Sequence, residues 1–251
     1  MINSEKKNRG RITMVLVRQN TFDEMSRYTA DLIAAQLKRK PKSVLGLATG
    51  SSPLGVYRRL IELYERGEID FSRAYTVNLD EYCGLPASHS ESYARFMKEN
   101  FFDRINIKPE NTFIPKGNTA DPVAECMRYD RLIGWLGGID LQLLGIGFNG
   151  HIGFNEPSDH FIDETHRVKL TCSTLLANGR FFPDGNPPEY AITVGMKTIM
   201  RAKAVVLIAG EEKYEIVKRA FTGPVTPEVP ASILLDHPNA TVIYTGEEDI
   251  R

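Results

Sequence analysis

Short apolar runs rich in branched side chains alternate along this chain with longer stretches of mixed polarity. Residues 12–17, 43–48, 74–79, 141–144, 190–194, 204–209 and 240–244 read as strands, because a strand buried on both faces is a nearly continuous apolar run. Helices are predicted between them. Thr21-Phe-Asp-Glu24 forms a capping box, and Tyr28, Leu32, Ala35 and Leu37 supply the apolar face of a helix that stops at Pro41. Ser52 suits an N-cap and Pro53 the first helical position of a helix running to about Arg66, where Gly67 closes it. Ser90 is placed to cap a helix through Asp103, Asp121-Pro122 to open one ending near Gly137-Gly138, and Glu211 to Ala220 is helical. Residues 104–120 read as connection. Residues 158–189, with Pro183, Gly185, Pro187 and Pro188, are the least regular stretch, of the kind that forms lids and binding loops.

Strands alternating with helices in this way predict a largely parallel sheet covered on both faces. No repeat or linker divides the chain. Residues 1–11 therefore read as a flexible tail, and residues 12–251 as a single α/β domain.

Composition narrows the partners. Charged residues make up 25% and hydrophobic ones 42%, the balance of an ordinary globular protein. A formal net charge of −1 offers no electrostatic footprint for nucleic acid or an anionic membrane. No apolar run approaches the roughly 20 residues of a membrane span, and no apolar signal segment follows the basic start. Cys83, Cys126 and Cys172 are odd in number and widely spaced, which suits a reducing cytoplasm rather than a disulfide framework or thiolate metal site.

The densest chemistry lies in Leu141 to Pro157, where an apolar run ends in three closely spaced glycines and then presents Asn149, His151, Asn155 and Glu156. An open α/β sheet places ligands at the carboxyl ends of its strands, and glycines let the backbone turn sharply there. His151 beside Glu156 and Asn149 forms a set suited to moving protons near neutral pH. Gly145-Ile-Gly147-Phe-Asn-Gly150 also matches the dinucleotide fingerprint, but no helix pattern follows it and Pro157 breaks the segment. Thr49-Gly50-Ser51-Ser52, at a strand-to-helix turn, offers backbone and hydroxyl donors to an anion, and without Gly-Lys-Ser/Thr it suits a phosphomonoester better than a Mg-nucleotide. Asp80-Glu81-Tyr82 places two carboxylates and a phenol at a strand end, where a general base would stand. Both acids reach one ligand only if the chain turns there. Arg180 and Lys213 are candidate phosphate partners. The acids and histidines from Glu156 to His166 match no metal-binding spacing and read as a solvated loop.

Five blocks together resemble the glucosamine-6-phosphate deaminase family. They are Gly46 to Pro53, Asn78 to Pro86, Glu91-Ser-Tyr93, Gly145 to Pro157 and Ala177 to Phe182, in the family's order. The resemblance spans about residues 14 to 244. It implies a Rossmann-like three-layer α/β/α fold with a mainly parallel sheet, no metal or nucleotide cofactor, and an amino-sugar phosphate as the small-molecule partner, with self-association left open. The implied reaction converts glucosamine 6-phosphate and water to fructose 6-phosphate and ammonia. By carry-over, His151 opens the sugar ring, Glu156 and Asn149 hold its imidazole, and Asp80 moves the C2 proton to C1. Glu81 and Tyr82 line the same pocket, while Thr49, Gly50, Ser51, Ser52, Arg180 and Lys213 hold the phosphate.

Many members carry aspartate where this chain has Asn149, so Asn149→Asp is expected to move the acidic limb of ring opening upward. Three rival functions stand beside this one. A galactosamine 6-phosphate enzyme shares the motifs. A 6-phosphogluconolactonase shares the fold, but that family typically has arginine where Tyr82 stands and lacks Asn155-Glu156-Pro157. A non-catalytic sugar-phosphate sensor would not need both Asp80 and His151.

Overall fold

The computed structural model describes residues 14–183 and 185–250. Its strands are β1 (Val15–Gln19), β2 (Val44–Leu47), β3 (Tyr75–Asn78), β4 (Asp80–Tyr82), β5 (Thr112–Phe113), β6 (Leu141–Leu144), β7 (His166–Lys169), β8 (Tyr190–Thr193), β9 (Val205–Ala209) and β10 (Ala240–Thr245). The helices are α1 (Phe22–Arg39), α2 (Leu54–Glu65), α3 (Tyr93–Asn100), α4 (Pro122–Trp135), α5 (Cys172–Gly179), α6 (Met196–Met200) and α7 (Tyr214–Thr222). A seven-stranded sheet runs in the order β1-β10-β9-β6-β2-β3-β5, with every neighbouring pair parallel. The strand order reverses between β2 and β6, which opens a crevice at their carboxyl ends.

Alternation along the strands feeds two cores. Val206 and Ile208 of β9 face one layer, with Met25 and Ile33 of α1, Leu60 of α2 and Met97 of α3. Val205, Leu207 and Ala209 face the other, with Ile133 of α4, Ile199 of α6 and Val217 of α7. Both sets are buried, so β9 carries an apolar side chain at every position. The expected three-layer α/β/α architecture is present.

Several local expectations change. The tail at 1–11 lies outside the described residues, as do the first two residues of the predicted first strand. Thr21 caps α1 as read, accepting from the Glu24 N–H at 3.1 Å, but the buried face is Met25, Thr29, Ala30, Ile33 and Leu37. Tyr28 is 40% exposed and Leu32 only partly buried, because the core takes the stripe about a quarter-turn away from the one predicted. Pro53 occupies the cap position of α2 and Ser52 makes no capping bond, so that helix starts one residue late. Ser92, rather than Ser90, caps α3, and its hydroxyl accepts from the Arg95 N–H. The irregular stretch 158–189 contains β7 and α5.

The largest correction concerns β4. Asp80–Tyr82 is not the tail of β3 but a separate strand in a three-stranded antiparallel sheet, β4-β8-β7. Leu79 bridges the two sheets, donating to Leu47 O at 3.2 Å and accepting from the Val194 N–H at 2.8 Å.

Candidate active site

Four strand ends meet around one cavity of about 580 Å³. After β2, Ala48 leads into Thr49, Gly50, Ser51 and Ser52, all of which line it ahead of α2. Gly50 has φ +95°, a conformation that an L side chain rarely adopts, so its place in the turn requires glycine. The turn brings two serine hydroxyls, a threonine hydroxyl and the open N-terminus of α2 to one side of the cavity.

After β3, the junction between the sheets holds Asp80 against the cavity with only 6% of its surface exposed. Burial, with the neighbouring Glu81 charge, pushes its carboxyl up to about 8. Gly153, at φ +58°, keeps the facing wall open; a Cβ there would stand 3.5 Å from Asp80 Oδ2 and 2.8 Å from Thr193 Oγ1. Strand alternation sends Glu81 the other way. Its carboxylate accepts from the Tyr82, Tyr93 and Ala94 N–H groups, each at 2.9 Å, and so anchors the start of α3. Burial still raises the Glu81 carboxyl, although those three donors oppose it.

After β6, the glycine loop folds back on itself. Gly147 donates to His151 O at 2.9 Å and Gly150 to Gly147 O at 3.0 Å, which lays the His151 ring directly over Gly147. Asn155 donates to Ile152 O and Val194 O and pins the far end of the loop. His151 Nδ1 lies 3.6 Å from Glu156 Oε2 and 3.4 Å from Thr174 Oγ1. Asn149 does not touch the ring. Its amide donates to Glu156 Oε2 at 2.7 Å, and its oxygen accepts the His151 backbone N–H at 3.2 Å. Burial alone would raise the Glu156 carboxyl, but His151, with Thr174 and Asn149, outweighs it and holds the group down at about 2. An ionised carboxylate therefore stands beside the imidazole throughout the neutral range.

The remaining wall comes from α5, the residues after it and the turn after β9. Arg180 follows α5 with its guanidinium 4.8 Å from the Phe181 ring, and Lys213 closes the 3-10 turn Glu211–Lys213. Both line the cavity.

The family model for glucosamine-6-phosphate isomerases/6-phosphogluconolactonase matches residues 17–244. The chain belongs to this family. It is 56% identical over 236 residues to a glucosamine-6-phosphate deaminase of Lachnoclostridium phytofermentans, covering 93% of this chain and 100% of that one. A glucosamine-6-phosphate deaminase of Thermoanaerobacter pseudethanolicus is 52% identical over 228 residues, 90% of each chain. The solved structure of a monomeric glucosamine-6-phosphate deaminase matches with a TM-score of 0.90 and 43% identity, over 92% of this chain and 97% of that one. A 6-phosphogluconolactonase from Thermotoga maritima matches at 0.72 with 21% identity, over 94% and 99%, and shares the fold.

Within this member of the family, ten of the twelve residues singled out from the sequence contribute to one site. Nine line the cavity: Thr49, Gly50, Ser51, Ser52, Asp80, Asn149, His151, Arg180 and Lys213. Glu156 sits immediately behind His151. Glu81 and Tyr82 do not line it. Tyr82 is 2% exposed and packs on Tyr93, Phe154 and Phe182, with ring centroids 4.9–5.5 Å away. Tyr93 takes the position expected of Tyr82, with its phenol between Thr49 and Tyr82. Thr171 and Thr174 were also missed. Thr171 donates to Glu156 through its N–H at 3.3 Å and its hydroxyl at 3.2 Å. Their signal was available as the cap of α5, but that helix lay in the stretch read as irregular.

Proposed function

We propose that this chain converts glucosamine 6-phosphate and water to fructose 6-phosphate and ammonia, with Asp80 as the base at C2. The observation that carries the reading is a buried carboxyl, pushed up to about 8, facing the same cavity as a histidine backed by an ionised carboxylate. The same cavity is lined by the 49–52 turn, Arg180 and Lys213, the donors a phosphomonoester needs.

The division of labour follows from the chemistry. His151 moves a proton between the ring and C1 oxygens to open the pyranose. Glu156 is its positioning partner, and Asn149 and Thr171 orient that carboxylate. A C–H beside a carbonyl is a weak acid, so its base must be close and shielded from water. Asp80 removes the C2 proton and returns it at C1 through an enolamine-like intermediate. Water then adds at C2 and ammonia leaves. Phosphate contacts, remote from the reacting carbons, supply the binding energy that positions them.

The three cysteines are all free thiols, which agrees with a cytoplasmic enzyme. Among the described residues no helix is long and apolar enough to cross a membrane.

Ammonia release from glucosamine 6-phosphate is the test, run beside Asp80→Asn and beside galactosamine 6-phosphate. Release with the glucosamine sugar should fall by about 10³-fold in the variant while sugar-phosphate binding survives. Activity retained in Asp80→Asn would remove the base assignment. Release from the galactosamine sugar alone would change the substrate, and silence with both sugars despite binding would point to a lactonase or a sensor.

A further inference from the structure

Phe148 lies between Gly147 and Asn149 on the loop that carries His151, and neither the fold nor the reaction accounts for it. It lines the cavity, yet its side chain is 53% exposed, and among the described residues it joins none of the buried hydrophobic clusters. Its ring meets Lys213, from the turn after β9, with Nζ 2.9 Å from the ring centroid. Lys213 is partly buried at the cavity wall, and among the described residues it forms no ion pair. Glu212, its neighbour on the turn, folds its carboxylate back over Gly210 instead.

We propose that Phe148 is the positioning residue of Lys213: its ring face holds the ammonium at the cavity wall, where the phosphate of a sugar phosphate is received. The inference rests on the phosphate subsite proposed above. A ring face carries the negative part of the aromatic quadrupole and attracts an ammonium, more strongly where water is partly excluded. Lysine is otherwise a compact charge on a flexible four-carbon stem, and immobilising such a stem on binding costs affinity. A stem already held against the ring removes part of that cost from the binding step.

The ring also suits the task better than a carboxylate would. A carboxylate partner would cancel the charge and compete with the phosphate for it. The ring does neither, and the three N–H donors turn about the Cε–Nζ bond, so those not facing the ring remain for phosphate oxygens. Burial lowers the Lys213 ammonium to about 8, with Glu212 opposing the shift and Arg180 adding to it, so the cation is present at pH 7.

The test is a double-mutant cycle on the full chain with Phe148→Leu and Lys213→Met. Binding of fructose 6-phosphate is followed by calorimetry at pH 7, with KM and kcat for ammonia release beside it. Phe148→Leu keeps an apolar side chain but no π face. It should weaken binding by about three- to tenfold and raise KM in step. Its kcat should change by less than about twofold, because the lost contact serves ground state and transition state alike. In the Lys213→Met background the same substitution should change affinity by less than about 1.5-fold. Phe148→Tyr, which keeps the ring face, should bind like the parent.

An equal loss in both backgrounds would overturn the proposal, as would a Phe148→Tyr protein as weak as Phe148→Leu, or a fall in kcat as large as the rise in KM. Fructose 6-phosphate that fails to bind, or that binds Lys213→Met as tightly as the parent, would remove the phosphate subsite and this proposal with it. A weakened Lys213→Met protein beside an unaffected Phe148→Leu protein defeats the role of Phe148 alone. The expected binding cycle without ammonia release defeats the deaminase reading alone.

Discussion

Asp80 carries opposite consequences for activity and for stability. Its carboxyl rises to about 8 in the folded protein, chiefly through burial. In its proposed role as base it must be ionised, so kcat/KM for ammonia release should fall about tenfold per pH unit below that value, and a limb centred near 4 would remove the assignment. The stability sign is the reverse of that of a salt-bridged acid. The native state holds the proton more tightly than the unfolded chain, so stability is greatest below the unfolded value and declines as pH rises toward about 8. Asp80→Asn should accordingly be more stable than the parent, by an amount on the order of a few kcal/mol at pH 8 and less at pH 5. Thermal melts at the two pH values check this, and an equal gain at both would contradict it. At Asn149 the structure refines the expectation drawn from the family resemblance. The amide donates to Glu156 and reaches His151 only through its backbone, so any charge placed there acts on the imidazole at one remove. Asn149→Asp exchanges a donor 2.7 Å from Glu156 Oε2 for a second carboxylate. The variant should melt lower than the parent at pH 7, and the gap should close toward pH 4 as the added acid takes a proton.

At the scale of elements, the loop after β6 works because its turns are tight. A Cβ on Gly147 would stand 2.2 Å from His151 Cε1 and 2.4 Å from both ring nitrogens. Gly147→Ala should therefore displace the imidazole and lower kcat by about 10²-fold, since a misplacement of about 1 Å is enough for such a loss. The loop's own core residues, Ile146 and Ile152, keep their side chains, so the fall in melting temperature should be small beside the loss of kcat; a large fall in melting temperature with kcat intact would contradict this. This loop was legible in the sequence, because an apolar run ending in closely spaced glycines is a strand end followed by a turn. The Asp80-Glu81-Tyr82 element was legible as chemistry but not as structure. Period-two alternation predicts that the two acids diverge, yet nothing in the residues from 74 to 82 announces a change of sheet. That change depends on β8, more than a hundred residues downstream, whose Ala191, Ile192 and Thr193 pair with Tyr82, Glu81 and Asp80. The exchange of Tyr82 for Tyr93 at the cavity wall has the same origin.

At the scale of the molecule, one buried acid ties together the amino ends of central strands β2, β6 and β9, opposite the site. Asp140 accepts from Lys40 after α1, from Lys203 before β9 and from the Val44 N–H that opens β2. Burial alone would raise its carboxyl, but the two lysines and the Val44 N–H lower it. Here the sign is the common one: the stabilisation is full above the unfolded value near 3.8 and is lost as pH falls through the lower folded value. Asp140→Asn should lose about 1–2 kcal/mol at pH 7, discounted because both lysines reach solvent, and less at pH 2. Chemical denaturation at the two pH values measures the difference, and an equal loss at both would rule out this account.

Residue order alone determined the class of fold and marked most of the residues that the structure brings to the candidate site. Buried parallel strands must be apolar on both faces, turns that approach a ligand need glycine, and the proposed phosphate cradle would need donors at a helix start, so each leaves a local mark. Which stripe of α1 enters the core, which sheet receives Asp80 and which tyrosine lines the cavity depended on tertiary structure. Each of these is settled by segments far apart in sequence competing for the same buried space, and no window of neighbouring residues contains that competition.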